Sequence, residues 1–332
     1  MTPLKQHTAL RRRAFLSATG GAALGLALPL SARAQSYPSK PIFFVVPLAP
    51  GGSADLLARL VGQHLSQRLG QPVVVEMRPG GGTVIGTSLV AKAPADGYTL
   101  LFASNSLVIN AKLRPNLSYD VKAFEPVAMM VSSPQVLAVN SASPYRTFMQ
   151  WLAAARAQPG TVSLASLGPD TTQHMASEML QHTTGIQLIY APYSGGALAV
   201  NAALGGHVDT VLGNLAEMSA HIEAGRLRPL AVTTHERLKA LQQVPTIAES
   251  GYPGFEAMAW FGVAAPAGTP RTVIAVLAEG VKSAMSDPEI RKQLLAFNLQ
   301  PDYLGPADFA AHIAQQYQHY AHIIDDAHIQ VL

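Results

Sequence analysis

Apolar, β-branched runs alternate with stretches of helical periodicity along nearly the whole chain. The pattern predicts strands at Ile42–Val46, Val73–Glu76, Thr99–Ala103, Val127–Val131, Val136–Val139 and Val162–Ala165. Further strands are predicted at Gln187–Tyr190, Val208–Leu212, Pro229–Thr233 and Met258–Ala264. Between them, apolar residues recur at helical spacing over Ala54–Leu69, Thr147–Ala157, Thr171–His182, Ala197–Leu204 and Thr272–Met285. Strand and helix in alternation imply an α/β fold built on mainly parallel sheets flanked by helices.

Two stretches read as crossings between lobes. Val131-Ser132-Ser133-Pro134-Gln135 interrupts one long apolar run, and Phe255 to Phe261 leads back into apolar sequence. If both are hinge strands, the chain forms two lobes, one from residues 37–134 plus 259–332 and the other from 135–258. A last helix from Pro306 to about His328 would pack on the first lobe through Phe309, Ile313, Tyr317, Tyr320 and Ile324, which share one face.

Residues 1–34 carry an address and take no part in this pattern. Arg11-Arg12-Arg13-Ala14-Phe15-Leu16 precedes a small, apolar stretch from Ser17 to Leu30, and Ala32-Arg33-Ala34 supplies a cleavage site. The arrangement predicts export to the periplasm with cleavage near Ala34. The paired arginines before Phe-Leu resemble a twin-arginine signal, although Arg11 stands where Ser or Thr is usual. This leader holds five of the 23 basic residues and no acid, so the remainder, with 20 acids, has a net charge of −2. A nucleic-acid partner loses its support once the leader is set aside. The chain has no cysteine, which excludes a disulfide framework, a thiolate nucleophile and a cysteine zinc site. With 48% hydrophobic residues, roughly 300 residues suffice for two core-bearing lobes.

The chemistry concentrates at joints where a strand gives way to a helix. Gly51-Gly52-Ser53-Ala54-Asp55 follows the first strand, and its glycines let backbone N–H groups approach an anion at a helix start. Similar joints occur at Ser166-Leu167-Gly168-Pro169-Asp170-Thr171-Thr172, at Tyr193-Ser194-Gly195-Gly196 and at Gly213-Asn214. Any one of them reads equally as a good turn or helix cap. As a set, at the carboxyl ends of parallel strands, they point to ligand contact in a crevice. Asp55 would repel an acidic ligand, so it is expected to anchor its own loop or to meet an ammonium group. Asp170 poses the same choice.

Other constellations carry less. Gly80-Gly81-Gly82 fails the dinucleotide spacing, since position 85 is Ile85, and reads as a structural turn or a wall of the cleft. His319, His322 and Asp326 fall on one flank of the last helix and read as a solvated face, not a metal site. His174 either lines the cleft or serves local polar groups. No nucleophile elbow or phosphate-binding loop occurs. Trp151 and Trp260 read as packing residues. Neither a cofactor nor a metal is expected.

Tyr37-Pro38-Ser39-Lys40-Pro41-Ile42, Val45-Val46-Pro47-Leu48-Ala49-Pro50-Gly51-Gly52-Ser53-Ala54-Asp55 and Leu69 to Gly80 resemble the extracytoplasmic receptors of tripartite tricarboxylate transporters, the Bug-type solute-binding proteins. The likeness continues through Ala95-Asp96-Gly97-Tyr98-Thr99, Ala191-Pro192-Tyr193, Leu230 to Thr234, Val244 to Glu249 and Ala265 to Pro270. The resemblance implies a two-lobed periplasmic binding protein of type II that closes on a small carboxylate and presents it to a two-subunit membrane permease. It places the ligand loops at Ala49, Gly51, Gly52, Ser53 and Asp55, at Ser104 and Asn105, at Ser166, Gly168, Thr171 and Thr172, at Tyr193 and Gly195, and at Asn214. The third loop departs from the family pattern, with Ser194 where a lysine is common, and Gly213 stands where an aspartate is usual.

The expectation is therefore a monomeric, non-enzymatic receptor for an organic acid. The rivals are an exported hydrolase using cleft serines with His174, and a sensor that hands its ligand signal to a different partner.

Overall fold

The computed structural model describes residues 37–168, 170–326 and 328–329; the export leader expected over 1–34 lies outside them. Residues Lys40–Leu332 form one compact body. The fold described below belongs to that body.

Strands β1 (Ile42–Val46), β2 (Val73–Met77) and β3 (Thr99–Ser104) run parallel in the order β2-β1-β3. Helix α1 (Ser53–Leu69) follows β1, α2 (Val84–Ala91) follows β2, and α3 (Ser106–Leu113) follows β3. Strand β4 (Phe124–Asn140) then leads through α4 (Phe148–Ala157) into a second parallel group. That group consists of β5 (Val162–Ser166), β6 (Leu188–Pro192) and β7 (Thr210–Asn214), in the order β7-β5-β6. Its helices are α5 (Thr172–Thr184), α6 (Gly196–Leu204) and α7 (Leu215–Glu223), and each begins just past the strand before it. Strand β8 (Leu227–Val232) and the long β9 (Met258–Pro266) return the chain to the first group, where α8 (Arg271–Ser286), α9 (Pro288–Ala296), β10 (Gln300–Leu304) and α10 (Pro306–Asp326) complete it.

Strands β4 and β9 join the two groups into a ten-stranded sheet, ordered β2-β1-β3-β9-β4-β7-β5-β6, with β8 and β10 each also paired to β4. The sequence reading breaks β4 at its polar middle, but the strand is continuous. Through Pro134 it pairs with β9, and from Gln135 onward with β7. Ser133 and Gln135 are fully buried there, so the polar residues mark where the strand passes from one half to the other without ending. The fold is thus a two-lobed α/β architecture, in which each parallel triplet is stitched antiparallel to a shared pair of strands.

Each lobe has its own apolar core. Phe309, Ile313, Tyr320 and Ile324 of α10 bury against Val108, Leu107 and Trp260, with Tyr317 half-buried beside them, on the face that helical spacing predicts. In the second lobe Trp151 is fully buried and its Nε1 donates to Thr210 Oγ1 at 2.8 Å, which fixes α4 against β7. Among the described residues, no helix is long and apolar enough to cross a membrane.

Candidate functional site

Five helices start at one place. The N-cap residues Gly52 of α1, Asn105 of α3, Thr171 of α5, Gly195 of α6 and Asn214 of α7 all line a single cleft between the lobes. Two of these helices belong to one lobe and three to the other. The first-turn N–H groups of a helix have no acceptor within it, and the macrodipole adds partial positive charge. The cleft encloses about 120 Å³, with Ala259 and Phe261 of β9 also in its wall.

The sequence-derived candidates divide into those that reach this cleft and those that shape it. Ala49, Gly52, Ser53, Ser104, Asn105, Thr171, Thr172, Gly195 and Asn214 line it. Gly51 faces a different hollow and has a φ of +87°, a conformation that favours glycine. Asp55 turns back on its own loop: Oδ2 accepts from Gly51 N–H at 3.0 Å and Oδ1 from Arg59 Nε at 2.7 Å. It rigidifies the glycine turn and does not line the cleft.

Asn105 reaches the cleft with its side chain already committed. Its Nδ2 donates to Met258 carbonyl oxygen at 3.2 Å and to Tyr320 Oη at 2.9 Å, while Oδ1 accepts from Trp260 N–H at 2.8 Å. These three bonds use both donors and one lone pair of the amide, so the residue ties α3 to β9 and α10. Burial raises the Tyr320 phenol despite that bond.

Ser166, Gly168 and Tyr193 lie behind the wall. Ser166 Oγ is buried, 2.9 Å from His174 Nδ1, while His174 Nε2 lies 3.3 Å from Glu178 Oε1. Burial pushes the Glu178 carboxyl up, but bonds from His174, Tyr190 and Gln181 bring it below its ordinary value. His174 therefore serves local polar groups and does not line the cleft. Gly168 has a φ of +103°, and its carbonyl accepts from Thr171 Oγ1 at 2.9 Å, which sets the cap of α5. Tyr193 packs on the apolar core of the second lobe.

Asp170 is fully buried against the other lobe. Its Oδ2 lies 3.6 Å from an Arg114 guanidinium nitrogen, and burial raises its carboxyl, opposed by Arg114. The Gly80-Gly81-Gly82 turn lies under it and is structural, with Gly82 carbonyl accepting from Asn110 Nδ2 at 2.7 Å. Among the described residues no group of three or more His, Asp or Glu could hold a metal ion, and His322 Nε2 and Asp326 Oδ2 lie 3.2 Å apart on an exposed flank of α10.

Glu217, in the first turn of α7, is the functional candidate that sequence reasoning missed. Its Oε1 accepts from Ser53 Oγ at 3.0 Å and from Ser53 N–H at 3.5 Å, across the cleft. Asn214 Nδ2 donates to Ser53 Oγ at 3.2 Å. Burial raises the Glu217 carboxyl, and the Ser53 and Asn214 bonds only partly offset this. Ser106, Gln173 and Ser194 line the cleft as well.

The sequence and the fold have parallels among known proteins. Residues 57–329 match the model of the tripartite tricarboxylate transporter family receptor. The chain belongs to that family. The receptor is 41% identical over 278 residues to a protein from the tcbD-tcbE intergenic region of Pseudomonas sp. (strain P51), covering 81% of this chain and 83% of that one. It is 37% identical over 306 residues to BugT of Bordetella pertussis, covering 91% and 93% of the two chains. A structure from R. palustris with adipate superposes with a TM-score of 0.85 at 32% identity, covering 89% of the receptor and 100% of its own chain. The Bug-type resemblance drawn from the sequence is thus established for the fold and for the family.

Proposed function

We propose that the receptor resides in the periplasm, captures a small organic carboxylate in the interlobe cleft, and delivers it to a two-subunit membrane permease of the tripartite tricarboxylate type. The observation that carries this reading is the convergence of five helix starts, contributed by both lobes, on one small cleft. Backbone N–H groups so arranged favour an anion, and a ligand touching both lobes stabilises their closed arrangement relative to an open one. The adipate in the similar R. palustris protein agrees with a carboxylate ligand. The moving bodies are residues 37–134 with 259–332, and residues 135–258, hinged at β4 and β9.

The hydrolase reading pairs a cleft serine with His174, but the serine that His174 hydrogen-bonds is Ser166. Both are buried away from the cleft lining, which favours a structural role and a receptor without turnover.

The test is thermal unfolding of the mature protein, stripped of co-purified ligand by unfolding and refolding, against a panel of organic acids. A ligand at 100 times its Kd contributes about 2.7 kcal/mol of stability, which is a melting shift of several degrees. Calorimetry should give one ligand per chain. A panel that leaves the melting temperature unmoved would sink the proposal.

A further inference from the structure

Among the described residues lining the cleft, Glu217 is the sole ionisable side chain; no Lys, Arg or His joins it. The hydrogen-bond chain Asn214 Nδ2 to Ser53 Oγ to Glu217 Oε1 leaves one acceptor over at each end. Asn214 Oδ1 and Glu217 Oε2 are both covered, and neither has a donor. Covered acceptors without donors are costly, and in a binding cleft they are met by what binds there.

A second ligand carboxylate would bring more acceptors and a like charge beside Glu217. An ammonium group brings three N–H donors and the opposite charge. Nor can the glutamate readily swing aside. A β-carbon on Gly196 would fall 1.8 Å from Oε2 and one on Gly52 would fall 3.2 Å from Oε1, so glycine backbone holds the carboxylate closely on two sides. Burial holds the Glu217 carboxyl above its ordinary value, and a bound cation would relieve that strain.

We propose that the receptor's ligand is an amino acid in the broad chemical sense: its carboxylate is held by helix-start N–H groups, and its ammonium group by Glu217 Oε2 and Asn214 Oδ1. This rests on the reading of the cleft as the solute site and names the ligand class for it. Glu217 then sets specificity by rejecting a second carboxylate at that end of the cleft.

The experiment is calorimetric titration of stripped wild-type receptor and of Glu217→Gln with matched sets: propionate against alanine, and butyrate and succinate against γ-aminobutyrate. In wild type, the amino member of at least one set should bind about 10-fold or more tightly than its partners. In Glu217→Gln that ratio should fall toward one, with the plain acids bound as well or better. If plain acids or succinate bind more tightly than their amino partners in wild type, the inference is overturned and the carboxylate-receptor reading stands. A ratio unchanged in Glu217→Gln overturns the role given to Glu217. If folded, stripped receptor binds no acid of any kind, the receptor reading itself is overturned. The wild-type comparison decides the ligand class even if the variant does not fold.

Discussion

The carboxylate of Asp170 stands where Gly82 would carry a side chain: a β-carbon there would fall 1.2 Å from Oδ2. Gly82 also has a φ of +61°, so an L side chain is strained at that position even without the carboxylate. Asp170 belongs to the β5–α5 joint, whereas Gly82 and Arg114 belong to the first lobe, so this contact fixes how the lobes meet. Gly82→Ala is expected to cost about 2–4 kcal/mol by urea unfolding, through overpacking and backbone strain together. Arg114→Ala, which leaves Asp170 with less compensation, should cost about 1–3 kcal/mol. An alanine variant at 82 as stable as wild type would show that the lobes do not meet in this way.

Asn105 predicts a different signature. Its amide bridges α3 to β9 and to Tyr320 of α10 through three hydrogen bonds in a buried site. Asn105→Ala removes all three and leaves Met258 carbonyl and Trp260 N–H without that partner. We expect a loss of about 2–4 kcal/mol, measured by chemical unfolding. Asn105→Asp should be destabilising too, since a carboxylate cannot donate to Met258 carbonyl or Tyr320 Oη as the amide does. If Asn105→Ala unfolds at the wild-type urea concentration but loses ligand affinity, the residue is a ligand contact and not a tie between elements.

The strand-to-helix joints were legible in the sequence because strand, glycine or hydroxyl, and amphipathic run follow one another locally. Glu217 was not legible, since its partner Ser53 lies 164 residues away and a first-turn acid is ordinary helix chemistry. The remaining signal was weak: an acid three residues past Asn214, in a joint that otherwise lacks charge. Helix α3 was missed because Ser106–Leu113 is almost wholly buried and so lacks the apolar stripe that reveals a helix. Helix α2 is masked in a similar way, by the glycine run that precedes it and by its mostly apolar composition. The continuity of β4 was hidden because Ser133 and Gln135 are polar yet buried, and burial is a property of the assembled fold.

The buried line Ser166, His174 and Glu178 looks like hydrolytic machinery by residue type, yet Ser166 is covered. His174 also packs on Tyr190, with ring centroids 4.6 Å apart, and so props α5 against β6. Ser166→Ala is expected to keep ligand affinity within about twofold, and His174→Ala to lower stability by about 1–3 kcal/mol. Paired calorimetry and urea melts check both. Measurable ester hydrolysis by wild type that disappears in Ser166→Ala would contradict this assignment.

Glu217 makes stability depend on pH in a direction that can be worked out. Its folded value lies above the ordinary glutamate value of 4.5, so between the two the folded state binds more protons than the unfolded chain. Its contribution to stability is fully present below 4.5 and is lost as pH rises through the raised value. Above that raised value the ligand-free receptor holds a partly compensated carboxylate, and there Glu217→Gln, of the same shape without the charge, should be more stable by about 1–2 kcal/mol. As pH falls toward 4.5 wild type takes up the proton and the gap between the two proteins should narrow. Asp170, also raised, titrates alike in both and cancels from the difference. Urea melts of both proteins at several pH values measure that difference directly. A gap that is constant across the range, or that widens on acidification, would mean that Glu217 is not held as a desolvated carboxylate between the lobes.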